Sequence, residues 1–249
     1  MSGGGVEPSE GGPTARSSVA LTADLVVFAV EGSTLHAALV RRAVQPFEGA
    51  LALPGGVVEP HEDALQAAWR ELEEETGLDL GAHRAHVEQL ATFSSPTRDP
   101  RRRVVSVAHL ALLATDGRAL PALRPGSDAA AAHWRPVHHV LAEEHLAFDH
   151  REILAAALER LAGKIEYTLA AARLVPEEFA LYQLRHVYEA VWNTEKLDPG
   201  NFTRKMSTAL TDTGKKVARS KGAPAAVFRV ASEYLSPPMV RPAPDHPAH

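Results

Sequence analysis

The stretch GVVEPHEDALQAAWRELEEETGL, residues 56–78, crowds Glu71, Glu73, Glu74 and Glu75 into the end of a helical pattern. Leu65, Ala68, Trp69 and Leu72 recur at helical spacing and read as a core stripe on a helix from about Glu62 to Thr76. Glu71, Glu74 and Glu75 are then related by i, i+3 and i+4, so their carboxylates share the neighbouring face. Like charges at these spacings cost roughly 0.2–0.5 kcal/mol per pair. Gly77 is a natural left-handed stop, so the acids also occupy the last turns, where the helix dipole disfavours anions by about 0.3–1 kcal/mol each. Something outside the helix must offset both penalties. Clustered carboxylates, with no cysteine and no close histidine pair, suit a hard, oxygen-preferring ion, so Mg²⁺ (or Mn²⁺) is expected over Zn²⁺. Mg²⁺ held by carboxylates usually keeps water and substrate phosphate in its shell, which points to metal-assisted phosphate chemistry. On charge alone, a solvated glutamate-rich face explains the run equally well.

The full spacing decides between the two. Gly56, Glu62, Arg70, Glu71, Leu72, Glu74, Glu75, Gly77 and Leu78 satisfy G-x5-E-x7-R-E-U-x-E-E-x-G-U, with U aliphatic, at every position. This is the Nudix box, and the chain resembles the Nudix hydrolase superfamily over roughly residues 19–163. The resemblance implies an α/β/α sandwich that hydrolyses a nucleoside diphosphate linked to another moiety. By position, it implies that Glu71, Glu74 and Glu75 are metal ligands, one of them acting as base toward water. The Gly56 carbonyl would add a ligand, Glu62 would lie near the site, and Arg70 would orient the glutamates. The loop Thr97-Arg98-Asp99-Pro100-Arg101 is similar to the ADP-ribose-acting branch. There Arg98 and Arg101 are phosphate candidates and Asp99 a candidate for ribose hydroxyls or metal; a solvated basic turn is the alternative. Arg41 and Arg42 are further phosphate candidates, with plain surface arginines as the other reading. Leu51 stands where these relatives often carry an aromatic residue.

Around the box the sequence lays down strands and one further helix. Residues 19–30, 34–44, 50–58, 86–95, 103–115 and 133–140 read as strands, the third interrupted by Pro54-Gly55-Gly56. Residues 149–163 read as an amphipathic helix with Ile153, Leu154, Ala157 and Leu161 in one stripe. Composition then changes. All six lysines lie after Gly163. Residues 1–163 hold 14 basic and 22 acidic residues, a charge of −8, whereas 164–249 hold 12 and 9, a charge of +3. Such a break implies two domains with different partners. The expected division is a flexible tail at 1–18, a Nudix domain at 19–163, a second domain at 164–236 and a loose Pro-rich tail at 237–249.

The second domain reads as helix 175–193, helix 201–210 behind an Asn201 cap, then two strands around a basic loop. That is the outline of a winged helix, and the whole chain is expected to be α+β, a Nudix sandwich followed by a winged helix-turn-helix domain. In that outline the second helix enters the major groove, which singles out Asn201, Thr203, Arg204 and Lys205. Lys215, Lys216, Arg219 and Lys221 would form a wing on the phosphate backbone; a solvated basic hairpin is the alternative. A Nudix domain followed by LYQLRHVYEAVWNTEKLDPGNFTRKM resembles the Nudix-related transcriptional regulators of NAD metabolism, over about residues 19–236. That resemblance implies an ADP-ribose-like ligand, a double-stranded DNA operator, a homodimer and, usually, repression. Many such regulators have a degenerate box; this one is complete, so hydrolase activity is expected to persist. A metal-dependent ADP-ribose pyrophosphatase with an accessory domain is the competing reading. The absence of cysteine excludes disulfides and thiolate metal sites. No apolar run reaches membrane-spanning length and the N-terminus lacks a secretory pattern, so a cytoplasmic protein is expected.

Overall fold

The computed structural model describes residues 18–83, 85–126, 129–195, 197–219 and 223–242. The chain runs β1 (Ala20–Glu31), β2 (Thr34–Arg42), β3 (Leu51–Ala52), β4 (Gly55–Val57), α1 (Ala64–Thr76), β5 (His86–Phe93), β6 (Val104–Leu112), β7 (Ala129–Pro136), α2 (Val137–Glu143) and α3 (His150–Tyr167). A 3-10 turn at Ala170–Leu174 leads to β8 (Phe179–Ala180), α4 (Leu181–Trp192), α5 (Pro199–Met206), β9 (Leu210–Val217) and β10 (Ala225–Val230). The first sheet has the order β3-β2-β1-β6-β5, with β4 also paired to β1 and β7 to β2. β1 and β6 run parallel; β5 pairs β6, and β2 pairs β1, antiparallel. The second sheet is β8-β10-β9.

β1 is apolar without interruption from Leu25 to Val30 because it is covered on both faces. Ala23, Leu25, Val27 and Ala29 pack against Ala67, Ala68 and Leu72 of α1. Val26, Phe28 and Val30 face the other way, toward Ile153, Leu154 and Leu161 of α3. Asp24 belongs to this second face by the same alternation, which places a carboxylate under α3. α1 is started by a reciprocal cap, Asp63 Oδ1 accepting from Gln66 N–H and Gln66 Oε1 from Asp63 N–H, both at 2.9 Å. Gly77 ends it at φ 66°, its N–H donating to the Glu73 carbonyl at 2.8 Å.

The expected core stripe of α1 needs correcting. Ala68 and Leu72 are buried, but Leu65 and Trp69 are each 39% exposed. Small side chains at Ala67 and Ala68 bring the helix close to Ala23 and Ala38 of the sheet, and the larger residues turn outward. HWRPVHHV does not stay a strand either: β7 stops at Pro136, which caps α2. The expected helix 175–193 begins only at Leu181, because Phe179 and Ala180 pair with Phe228 and Val227 of β10. The second helix starts at Pro199, with Asp198, not Asn201, as cap; Asp198 Oδ1 accepts from Asn201 N–H at 2.7 Å. The tail is docked as far as residue 242. Met239 is buried, its N–H donates to the Glu166 carbonyl at 2.8 Å, and Arg241 Nη2 pairs with Glu159 at 3.1 Å. Residues 1–17 and 243–249, and with them most of the expected end segments, lie outside the described residues.

One hydrophobic cluster runs from Val26, Phe28 and Leu39 through Ile153 and Leu161 to Leu184, Val187, Tyr188, Phe202 and Met206. The winged-helix half thus shares its core with the sandwich. Tyr188 Oη donates to the Ile165 carbonyl at 3.0 Å, and Gln183 Nε2 to the Asp116 carbonyl at 3.0 Å, across the same seam.

A charged cluster adds to the seam between β5 and α3. Glu88 receives Lys164 Nζ, lies 3.3 Å from His86 Nε2 and 3.7 Å from Arg160 Nη1. Burial raises its pKa, but Lys164 and His86 outweigh that and hold the carboxyl below the usual range. A depressed carboxyl stabilises the fold above its unfolded pKa and loses that contribution as pH falls through the folded value. Glu88→Gln is therefore expected to cost about 0.5–1 kcal/mol at pH 7 in urea unfolding. The gap to wild type closes as the pH drops below about 4.5. A gap independent of pH rules out this charge contribution.

Candidate functional site

The end of α1 brings four of the expected residues into one network around Arg70. Its Nε and Nη2 donate to the two oxygens of Glu62 at 3.0 and 2.7 Å. Nη1 reaches Glu71 Oε1 at 3.0 Å and Glu74 Oε2 at 3.2 Å, and Nη2 also donates to the Val57 carbonyl at 3.3 Å. These bonds hold the Glu62 carboxyl below its ordinary range, with the Glu59 N–H assisting. Glu71 is raised by burial, which Arg70 only partly offsets. Glu75 stands apart from the arginine. It is half-buried, and that burial pushes its carboxyl up to about 8 against the lowering effect of its Gly55 N–H hydrogen bond at 3.1 Å.

The loop Pro54-Gly55-Gly56 is the opposite wall. β4 pairs with β1, Gly55 opposite Asp24 and Gly56 opposite Ala23. A Cβ on Gly56 would lie 2.0 Å from Glu71 Oε1, and one on Gly55 2.4 Å from the Ala23 carbonyl. Only glycine at 56 lets this backbone approach the Glu71 carboxylate so closely, and only glycine at 55 lets it lie so near β1. The donors are hard oxygens, and Glu75 is a half-buried carboxyl whose ionised form a cation would stabilise, so residue chemistry fits Mg²⁺ or Mn²⁺. Their placement qualifies the expectation of a ready-made ligand set. Among the described residues no three acidic or histidine side chains stand together closely enough to hold a metal ion. Arg70 has taken the positions beside Glu71 and Glu74.

The expected phosphate arginines separate. Arg98 is 7% exposed and points inward, which removes it from the cleft contacts expected of it. Its Nε and Nη2 clamp Asp149 at 2.9 and 2.7 Å, and Nη2 also reaches Asp24 Oδ2 at 3.2 Å. His150 completes the cluster: its Nδ1 accepts from Leu53 N–H at 2.9 Å, and its Nε2 lies 3.6 Å from Asp24 Oδ1. Because Nδ1 accepts from the Leu53 N–H, it carries no proton and the neutral ring holds its proton on Nε2; burial lowers the His150 pKa in the same sense. The cluster thereby fixes the residue just ahead of Pro54-Gly55-Gly56. Asp99 is also buried and is occupied by Arg101, which donates from Nε at 3.0 Å and Nη2 at 2.7 Å. The Arg101 side chain itself remains 53% exposed. Arg42 braces its own loop, Nε donating to the Pro46 carbonyl at 2.8 Å. Neither Asp24 nor His150 stood out in the sequence. Their signal was the strand alternation of β1 and the LAFDH segment beside α3.

On the second half, α5 turns Phe202 and Met206 inward and leaves Asn201, Thr203 and Arg204 exposed, with Lys205 half-buried. Arg204 Nη2 donates to Asn201 Oδ1 at 2.9 Å, and Lys205 Nζ to the Pro238 carbonyl at 3.3 Å. Lys216 is exposed on the β9 strand. Lys215 is tied to Glu178 at 2.7 Å, and Arg219 lies 5.1 Å over the Tyr182 ring. Lys221 lies outside the described residues.

Residues 20–157 match the NUDIX domain family. The chain belongs to the Nudix family. Residues 171–230 match the NrtR DNA-binding winged helix domain, so this Nudix protein carries that domain on its second half. It is 31% identical over 215 residues to the ADPR responsive transcriptional repressor NtrR of Acinetobacter baylyi, covering 85% of this chain and 82% of that protein. It is 39% identical over 116 residues to an ADP-ribose pyrophosphatase of Methanocaldococcus jannaschii, covering 47% of this chain and 62% of that enzyme. The crystal structure of Shewanella oneidensis NrtR complexed with a 27mer DNA superposes with a TM-score of 0.71 at 30% identity, covering 88% of this chain and 99% of that one. The NUDIX domain of the same Shewanella protein, complexed with ADP ribose, superposes with a TM-score of 0.52 at 32% identity, covering 60% of this chain and 92% of that one. Among the described residues no helix of this Nudix protein is long and apolar enough to cross a membrane.

Proposed function

We propose that this chain is a transcriptional repressor of NAD-metabolism genes, acting as a homodimer, whose Nudix domain binds ADP-ribose or a closely related nucleotide. The observation that carries the reading is the presence in one chain of a complete Nudix-box sequence and an exposed basic helix on a winged fold, the two halves joined by a shared core. Likeness to an ADPR responsive repressor over most of both chains supports it. Asn201, Thr203, Arg204 and Lys205 meet the operator, with Lys216 and the neighbouring basic residues on its backbone.

The same site also cleaves its ligand in this proposal. Water adds to one phosphorus of ADP-ribose, the bridging P–O bond breaks, and AMP and ribose 5-phosphate leave. A bound Mg²⁺ (or Mn²⁺) supplies charge neutralisation and a more acidic attacking water. Glu71, Glu74, Glu75 and the Gly56 carbonyl are the residues that would hold it. Arg70 and Glu62 orient these carboxylates, and one glutamate accepts the proton of the water.

Gel-shift titration with promoter DNA from neighbouring NAD-synthesis genes, with and without ADP-ribose, tests the regulator. A retarded complex whose affinity changes with ADP-ribose is expected, and no complex on any such promoter removes the reading. With Mg²⁺, Glu74→Gln is expected to cut AMP release by at least about 10–100-fold, the range seen when even the outer partners of metal ligands are lost. Its DNA binding should survive, because the Glu74 side chain is 49% exposed and supports no core. Unchanged AMP release would exclude Glu74 from the chemistry.

A further inference from the structure

The segment that leads from α2 into α3 runs beside the approach to the glycine loop and is bonded to it twice. Ala147 N–H donates to the Leu51 carbonyl at 2.8 Å, and Leu53 N–H donates to His150 Nδ1 at 2.9 Å. Leu146 also bridges Leu51 in parallel. The second bond is unlike a sheet bond, because a side-chain ring stands where a carbonyl would. To present that ring the chain turns through Phe148 at φ 54°, a left-handed conformation that bulky residues rarely adopt. Such a conformation persists only where the surroundings impose it. Here they do so from both sides of the peptide. Arg98 clamps Asp149 at 2.9 and 2.7 Å, and the Arg42 guanidinium lies 4.9 Å from the Phe148 ring centre. His150 itself is 5% exposed, with its Nε2 3.6 Å from Asp24 Oδ1.

From this ring a continuous series of contacts reaches the glutamates. Leu53 is followed by Pro54, whose carbonyl accepts from Leu25 N–H at 3.0 Å, and then by Gly55, which lies opposite Asp24. Gly55 N–H donates to Glu75 Oε2 at 3.1 Å. Gly56 comes so near Glu71 that a Cβ there would lie 2.0 Å from Oε1. Two of the box glutamates thus take their places against a loop whose entry His150 holds.

We propose that His150 is a positioning residue: its ring sets the glycine loop against Glu75 and Glu71, and so sets how tightly these carboxylates hold a divalent cation. The inference rests on the metal-dependent reading of the glutamate site and adds the residue that fixes one wall of it from α3. Outer partners of this kind are worth about 10–100-fold in metal affinity or activity. The loop needs only the lone pair on Nδ1, and that requirement can be isolated.

Electron paramagnetic resonance titration of the full chain with Mn²⁺ alone, with no nucleotide to turn over, tests the proposal. Two replacements differ in one respect. The side-chain carbonyl of asparagine sits where Nδ1 does, and that of glutamine where Nε2 does. His150→Asn therefore still accepts from Leu53 N–H, whereas in His150→Gln the acceptor is displaced. His150→Gln is expected to bind Mn²⁺ about 10-fold more weakly or worse, and His150→Asn to recover most of the wild-type affinity. A ring that merely filled the core would give equal losses in both. Equal affinities in the two variants overturn the proposal, whether both match wild type or both fall. A glutamine variant that alone fails to fold would make the ring a core residue and overturns it as well. If wild type binds no Mn²⁺, the metal-dependent reading fails and takes this one with it.

Discussion

Replacing Arg98 with alanine is expected to lower the stability of the protein by about 3–5 kcal/mol, read as a fall in the urea midpoint and in Tm. The side chains of Arg98, Asp24 and Asp149 are 4%, 6% and 9% exposed, so removing the guanidinium strands two carboxylates beneath α3. Water cannot reach them to compensate. Ser106 Oγ donates to Asp24 and softens the loss without supplying charge. Arg98→Lys should recover only part of it, because a single ammonium cannot reproduce the two-pronged clamp on Asp149. Arg118→Ala, which removes a pair with Asp116 whose side chains are 79% and 55% exposed, should cost no more than about 1 kcal/mol. The contrast is the test. Comparable losses at the two positions would refute a buried role for Arg98.

The second large effect concerns DNA. Arg204→Ala combined with Lys205→Ala is expected to weaken operator binding by 10-fold or more while leaving the fold intact, since α5 packs through Phe202 and Met206. Each phosphate-paired cation removed lowers the slope of log K against log salt by about 0.9, so the double variant should lose up to about 1.8. A cation that reads a base edge takes affinity away mainly at one operator position, and fluorescence anisotropy on mutated operators separates the two roles. Lys205 must leave the Pro238 carbonyl to reach a phosphate, so Arg204→Ala alone should be the stronger single variant. Unchanged affinity and slope in the double variant would move the DNA contact elsewhere.

The box was legible because its chemistry depends on spacing along one helix and its entry loop, and spacing is what a sequence records. Gly56 and Glu71 are 15 positions apart, yet the pattern that joins them is local to one loop and one helix. The face of α1 was less legible. Leu65 and Trp69 lie at helical spacing with Ala68 and Leu72, but periodicity alone does not say which neighbouring stripe meets the sheet. The close approach of Ala67 and Ala68 to Ala23 and Ala38 settled it, and that is a property of the packed pair. Arg98 was misread for the opposite reason. Its partners are 74 and 51 positions away, so an arginine that read as a phosphate contact had its charge already spent inside. The early part of the expected 175–193 helix went the same way, drawn into a strand by β10.

The shared core has a consequence for how such proteins can be recombined. Leu184, Val187 and Tyr188 of the winged-helix half lie in one cluster with Phe28, Leu39 and Leu161 of the Nudix half. A graft joined at Gly163 would follow the chain and cut through the packing. A foreign reader would have to bring side chains that fill the same hollow against β2 and α3, or the two donors would meet across a void. Inheritance in this molecule runs along the buried seam, and the backbone crossing at α3 is only its visible stitch.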